Sequence, residues 1–169
     1  GKDALKVNTA ANNTGVGMGV LEANTTGADN TALGSIALDA NTTGSFNTAI
    51  GRDALGANTT GASNTALGQS TLGNNTTANN NTAVGKQSMN TSTTAFNVTS
   101  MGYAALYSLT TGSENTAVGF QAGYNITTAS GCVCLGDQAG QGQIDTSSNQ
   151  LYIARTNGVG AGNAAVLKV

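Results

Sequence analysis

Histidine, proline and tryptophan are absent from this chain of 169 residues, and charged side chains make up only 8% of it. Ordinary soluble domains carry about 25%. Without histidine the commonest general base is missing, and a metal site would have to be built without imidazole. The carboxylates Asp3, Glu22, Asp29, Asp39, Asp53, Glu114, Asp137 and Asp145 form no recognisable acid–base pair. The calcium-binding glycine–aspartate nonapeptide of β-rolls is also missing. No enzyme, no metal and no cofactor is expected. The basic residues Lys2, Lys6, Arg52, Lys86, Arg155 and Lys168 are scattered, so the basic face that nucleic acid demands is absent. A net charge of −2 implies nothing about partners. No apolar run approaches the roughly 18 residues of a membrane span, so membrane insertion is not expected. No secretory signal is visible. The chain starts at Gly1 in mid-repeat without an initiator methionine, and reads as a piece of a longer protein.

What the chain does have is a period. Glycine recurs at Gly17, Gly34, Gly51, Gly68, Gly85, Gly102, Gly119 and Gly136, always 17 residues apart. Fixed-period self-similarity is the signature of a repeat architecture. It also argues against disorder, which polar low-complexity composition would otherwise suggest, because a disordered chain has no reason to hold one residue type at one phase. An aliphatic residue precedes each glycine, from Val16, Leu33 and Ile50 to Leu135. Four positions after it stand Leu21, Leu38, Leu55, Leu72, Met89 and Leu106. Alanine flanks both files, as at Ala32, Ala49 and Ala66 and at Ala37, Ala54 and Ala105.

Seventeen residues are too few for a helical repeat, which needs about 33, and Asn, Thr and Gly are poor in helix interiors. Two short strands and two turns fit. The expectation is an all-β parallel β-solenoid of about nine coils starting at Gly1, Gly17, Gly34, Gly51, Gly68, Gly85, Gly102, Gly119 and Gly136. One strand carries Asn-Thr-Ala-aliphatic and the other Ala-Leu, making two sheets that face each other across a thin core. Coils about 4.8 Å apart give a rod on the order of 40–45 Å long. The two apolar files are expected in the core, and the alanine files against sister chains, since a thin single-chain roll buries little area and closed symmetry is the usual remedy. The repeat domain spans 1–152, with a C-terminal transition segment at 153–169.

The glycine file implies positive φ or a backbone too close for a Cβ. The file Asn13, Asn30, Asn47, Asn64, Asn81, Asn115 and Asn149 is expected to form an amide ladder, interrupted by Val98 and Cys132. Cys132 and Cys134 share a strand face and read as small buried thiols, with an interchain disulfide as the alternative. Gly123 and Gly140 replace the leucine of earlier coils, which is expected to weaken the core there.

The phrase Asn-Thr-Ala-aliphatic-Gly-x-x-Ala, seen at Asn47–Gly51, Asn64–Gly68 and Asn115–Gly119, resembles the head repeat of trimeric autotransporter adhesins. The spaced Asn-Thr-Thr-Gly turns, as at Asn41–Gly44, resemble tracts of phage tail-fibre proteins, in many of which a chaperone of the endosialidase type follows. The segment Asn149–Ala154 is similar to the transition after such repeats. The resemblance implies a left-handed β-roll, a homotrimer, and a place outside the cell, on a cell surface or on a virion. The 17-residue step is longer than that of the adhesin heads.

The candidate ligand patch is aromatic. Tyr103 and Phe120 share one file, and Tyr107 and Tyr124 another. They serve either as a sticky surface for a glycan or receptor or as ring stacking that makes up for the lost leucines. Thr pairs run from Thr25-Thr26 to Thr127-Thr128 and raise an ice-binding alternative, although only one of each pair can face outward. Sequons recur at Asn24, Asn41, Asn58 and Asn75, spaced too closely for full glycosylation, and read otherwise as turn residues. The expected function is a fibre shaft or head that spaces or presents a receptor-binding element. The alternatives are a glycan- or ice-binding module and a self-assembling filament subunit.

Overall fold

The computed structural model describes residues 1–141 and 146–154, and the backbone of Ala164–Val166. Most of the segment 153–169 lies outside the described residues. The chain is a parallel β-solenoid. Each coil gives one three-residue strand to a single sheet: β1 Thr14–Val16, β2 Thr31–Leu33, β3 Thr48–Ile50, β4 Thr65–Leu67, β5 Thr82–Val84, β6 Thr99–Met101, β7 Thr116–Val118 and β8 Val133–Leu135. The four-residue β9, Leu151–Ala154, continues the parallel order, and β10, Ala164–Val166, pairs antiparallel to β9. Like pairs with like: Thr48 lies beside Thr65, Ala49 beside Ala66 and Ile50 beside Leu67. Among the described residues there is no helix.

One sheet, not two, holds the stack. The Ala-Leu segment turns instead of extending, because its leucine takes a left-handed conformation, with φ 51° at Leu38, Leu55 and Leu72. Its amides still bond coil to coil: Leu38 N–H donates to Ala54 O at 3.1 Å and Leu55 N–H to Thr71 O at 3.0 Å. The ladder therefore continues around the coil without a second strand.

The inside and outside of the strand also differ from expectation. Side chains alternate along a strand, so Ala66 and Leu67 cannot both face inward. The alanines point in: Ala32, Ala49, Ala66, Ala83 and Ala117 are buried, and so are Ala37, Ala54, Ala105, Ala122 and Ala139 after the glycine. The core is these small files with the leucine file between them, and it lies within one chain. The alanine files contact no surface where a sister chain could pack. The aliphatic file before the glycine points out.

Both reasons for the glycine file hold together. Gly51 has φ 134°, and a Cβ there would stand 2.5 Å from Gly68 O of the next coil. The asparagine file is buried at Asn30, Asn47, Asn64, Asn81 and Asn115. Asn47 N–H donates to Asn30 Oδ1 at 2.9 Å, and Asn64 N–H to Asn47 Oδ1 at 3.0 Å. Each carboxamide also donates across the core, as from Asn47 Nδ2 to Gly61 O at 2.8 Å. Each interruption costs one ladder bond: Val98 N–H and Cys132 N–H still donate to Asn81 and Asn115 Oδ1, at 3.0 and 2.8 Å, but neither side chain offers an amide oxygen to the next coil. Asn149 is not a member. The step from β8 to β9 is 18 residues, Val133 pairing with Leu151, so Gln150 takes the ladder position. Asn149 falls one place earlier, with φ 60°.

Where glycine replaces leucine, the volume is supplied from elsewhere. Gly123 and Gly140 adopt φ 64° and 71°, relieving the left-handed strain of the leucine file. A Cβ on Gly123 would lie 2.7 Å from Leu106 and 3.3 Å from Ile126, and one on Gly140 3.2 Å from the Tyr152 ring. Leu109 and Ile126 occupy the turn position held in earlier coils by Asn24, Asn41, Asn58 and Asn75. The core changes files without thinning. Cys132 and Cys134 are buried here, as small thiols.

Candidate functional site

The outward face of the sheet carries two uncharged files. The first is threonine at every strand from Thr14 to Thr116. The second is aliphatic: Val16, Leu33, Ile50, Leu67, Val84, Met101, Val118, Leu135 and Ile153. Exposure in this file runs from 38% at Leu135 to 56% at Val16, with Ile50 and Val84 half-buried. Parallel pairing holds neighbours about 4.8 Å apart, so the face is a flat strip running the length of the stack. Scattered exposed aliphatics are ordinary; here they form one contiguous strip.

The sequence pointed elsewhere, to four aromatic residues. The structure pairs them in two stacks. Tyr103 and Phe120 lie 5.4 Å apart, tilted by 14°, directly after the glycine and exposed. Tyr107 and Tyr124 lie 5.2 Å apart at 5° on the following turn, half-buried. Each ring thus covers one face of its partner, as the ring-stacking reading expected. Two further rings escaped the sequence reading: Phe46, 63% exposed, and Phe96, 48% exposed. Phe46 stands between Ser45 and Asn47 just before a strand, and that isolation was the available signal; Phe96, with Ala95 and Val98 near it in sequence, offered none.

The threonine pairs divide their labour. The first hydroxyl of the pairs from Thr25 to Thr110 donates to the carbonyl of the next coil, as from Thr42 Oγ1 to Thr59 O at 3.0 Å. The second, from Thr26 and Thr43 to Thr128, is exposed. The sequon asparagines Asn24, Asn41, Asn58 and Asn75 are all fully buried, which rules out glycan attachment at those four positions of the folded chain. They form a second amide ladder, Asn41 Nδ2 donating to Asn24 Oδ1 at 2.7 Å and Asn58 Nδ2 to Asn41 Oδ1 at 2.8 Å.

One groove of about 490 Å³ opens where Gly56 and Gly73 leave a notch among Asp39, Asp53, Ser70, Gln87 and Asn90. Asn90 reaches over it to donate to Ser70 O at 2.8 Å. Burial pushes the Asp39 carboxyl above its usual range, with the negative charges of Asp53 and Glu22 adding to the effect. Among the described residues, no three His, Cys, Asp or Glu converge as a metal site. Among the described residues no helix is long and apolar enough to cross a membrane.

No protein-family model, curated protein or solved structure matches the chain.

Proposed function

We propose that the chain is a stiff shaft segment of a homo-oligomeric fibre, trimeric and displayed outside the cell or on a virion, that spaces or presents a receptor-binding element. The carrying observation is the aliphatic file on the outer sheet face, repeated in every coil from Val16 to Ile153 with no charge in it. A monomer leaves that strip in water at a cost of roughly 25 cal/mol per Å². Closed rotational symmetry covers it along its whole length without leaving a sticky end. The role is mechanical rather than enzymatic. The adhesin-like phrase Asn-Thr-Ala-aliphatic-Gly supports the trimer and the extracellular or virion setting. The receptor, a cell-surface glycan or protein, would engage whatever the shaft presents.

Light scattering tests the reading. The expected mass is three times that of the chain, and the pair Leu67→Lys with Val84→Lys is expected to reduce it to one. A wild-type monomer at tens of micromolar sinks the proposal.

The uniform threonine file favours one second reading, in which the same face orders water against ice. That needs the face open, so the two readings exclude each other. Mixed aliphatic sizes, from Val16 to Met101, suit packing between proteins better than a lattice match. A monomer with thermal hysteresis activity would reverse that preference.

A further inference from the structure

Self-association requires copies that agree on direction and height, and the two flanks of the sheet face differ in a way that specifies both. The flank just before the strands carries Asp29, Phe46, Phe96 and Glu114, all exposed. The flank just after the glycines carries Arg52, Lys86, Tyr103 and Phe120, all exposed, and the half-buried Asp137. The first flank is acidic and the second mainly basic. The rings are placed by coil. Phe46 and Arg52 lie on either side of β3, and Phe96 and Tyr103 on either side of β6. Phe46 has φ 61°, a left-handed conformation unusual for a bulky residue, while leaving most of its ring in water. The turn itself is shared by the whole file, from Asn12 to Glu114, and is held by Phe46 N–H donating to Ala28 O at 3.0 Å; what is particular to Phe46 is the exposed ring.

We propose that a second copy of this chain docks parallel and in register, the flank after the glycines of one copy against the flank before the strands of the next. Arg52 then lies over the Phe46 ring of the neighbour, as a guanidinium over an aromatic face, and Tyr103 packs edge or face against its Phe96. In that register Asp29 stands level with Ser35, one coil from Arg52, and Glu114 level with Phe120, so the ring pairs and not the acids fix the height. The arrangement rests on the homo-oligomeric reading above and sharpens it. Unlike flanks meet, so the contact is heterologous and closes into a ring instead of stopping at a two-fold dimer.

The test is cysteine cross-linking of the full chain. The double variant Phe96→Cys with Tyr103→Cys is expected to give covalent dimers and closed oligomers on mild oxidation, since a disulfide needs Cβ atoms about 4 Å apart. Either single variant, like the wild type with its buried Cys132 and Cys134, is expected to stay at monomer mass on a non-reducing gel. A single variant that cross-links shows like flanks meeting and overturns the inference. So does a double variant that does not cross-link while light scattering still finds an oligomer, a result that leaves the fibre reading standing. A monomer in solution ends both. Arg52→Glu gives a second readout that does not depend on cysteine geometry. Its expected effect is at least a tenfold higher dissociation midpoint with an unchanged circular dichroism spectrum, and an unchanged midpoint overturns the inference.

Discussion

At the scale of single residues, stability rests on amides that have no alternative partner. Asn58 makes three bonds: it donates to Asn41 Oδ1 at 2.8 Å and Gly61 O at 3.0 Å, and accepts from Asn75 Nδ2 at 2.9 Å. Asn58→Ala strands Asn41 Oδ1 in a dry core, while Gly61 O keeps Asn47 Nδ2 and Asn75 Nδ2 keeps its bond to Ala78 O, so the expected loss is about 1–3 kcal/mol in chemical denaturation. The ladder has a natural end. Asn75 Oδ1 and Ser92 Oγ are buried without partners, because Ser92 is too short to reach back. The bond from Asn75 to Ala78 O has lengthened to 3.3 Å, where Asn24 to Gly27 O measures 2.8 Å. Ser92→Asn supplies the missing donor, with an expected gain of about 1 kcal/mol; a loss would mean that Leu109 beneath leaves no room. Ile36 offers a different case. Its φ of 51° is a genuine outlier for a β-branched side chain. Ile36→Asn keeps the turn with a residue that tolerates this region, and the expected melting temperature is higher, by the equivalent of roughly 1 kcal/mol.

At the scale of the coil, the parts legible in the sequence were those that depend only on repetition. Gly51 and Gly68 had to lie at equivalent places, and the segment Thr65-Ala66-Leu67 had to be extended, because like residues stacked at one phase leave few other solutions. What was not legible was direction. Ala66 and Leu67 are both apolar, and only the width of the core decides between them: Leu72 already fills it, so the small residue faces in and the large one out. The left-handed turn at Leu72 was equally hidden, since leucine rarely adopts that region. It removed the second sheet. The aromatic residues were legible to the same extent: sharing a file gives stacking in pairs, as with Tyr107 and Tyr124, and says nothing about distance between files. The notch at Gly56 and Gly73 yields a prediction of its own. Asp39 has a folded pKa raised by burial, so folding favours its protonated form. Its contribution is fully present below the unfolded pKa and is lost as pH rises through the folded one. At pH 7 the ionised carboxylate is therefore a burden. Asp39→Asn is expected to raise the melting temperature at pH 7, with an advantage that shrinks as pH falls through the carboxylate range. A variant whose advantage grows toward acid would contradict this origin.

At the scale of the whole molecule, a solenoid is close to one-dimensional, each coil touching only its neighbours. Stability is then a sum over coils and interfaces, and any one coil is dispensable if its removal leaves the files aligned. Removing residues 52–68 joins Gly51 to Gln69 and places Leu38 on Leu72, Asn41 on Asn75, Asn47 on Asn81, and Thr48–Ile50 on Thr82–Val84. Each of those pairs repeats a contact type already found between adjacent coils, such as Asn41 with Asn58 and Thr48 with Thr65. This shortened chain is expected to keep its β-sheet spectrum and to melt cooperatively, some 5–10 °C below the parent. Removing residues 52–66 takes out fifteen instead of seventeen and joins Gly51 to Leu67. Leu72 and Asn75 then arrive two places out of step, the glycine file no longer meets glycine, and a Cβ is forced toward the backbone oxygen that Gly51 meets at Gly68. That chain is expected to lose cooperative melting. Two steps of the parent depart from seventeen, sixteen residues from Gly1 to Gly17 and eighteen from Val133 to Leu151. Equal melting of the two deletions would show that the phase of the files does not hold the rod together.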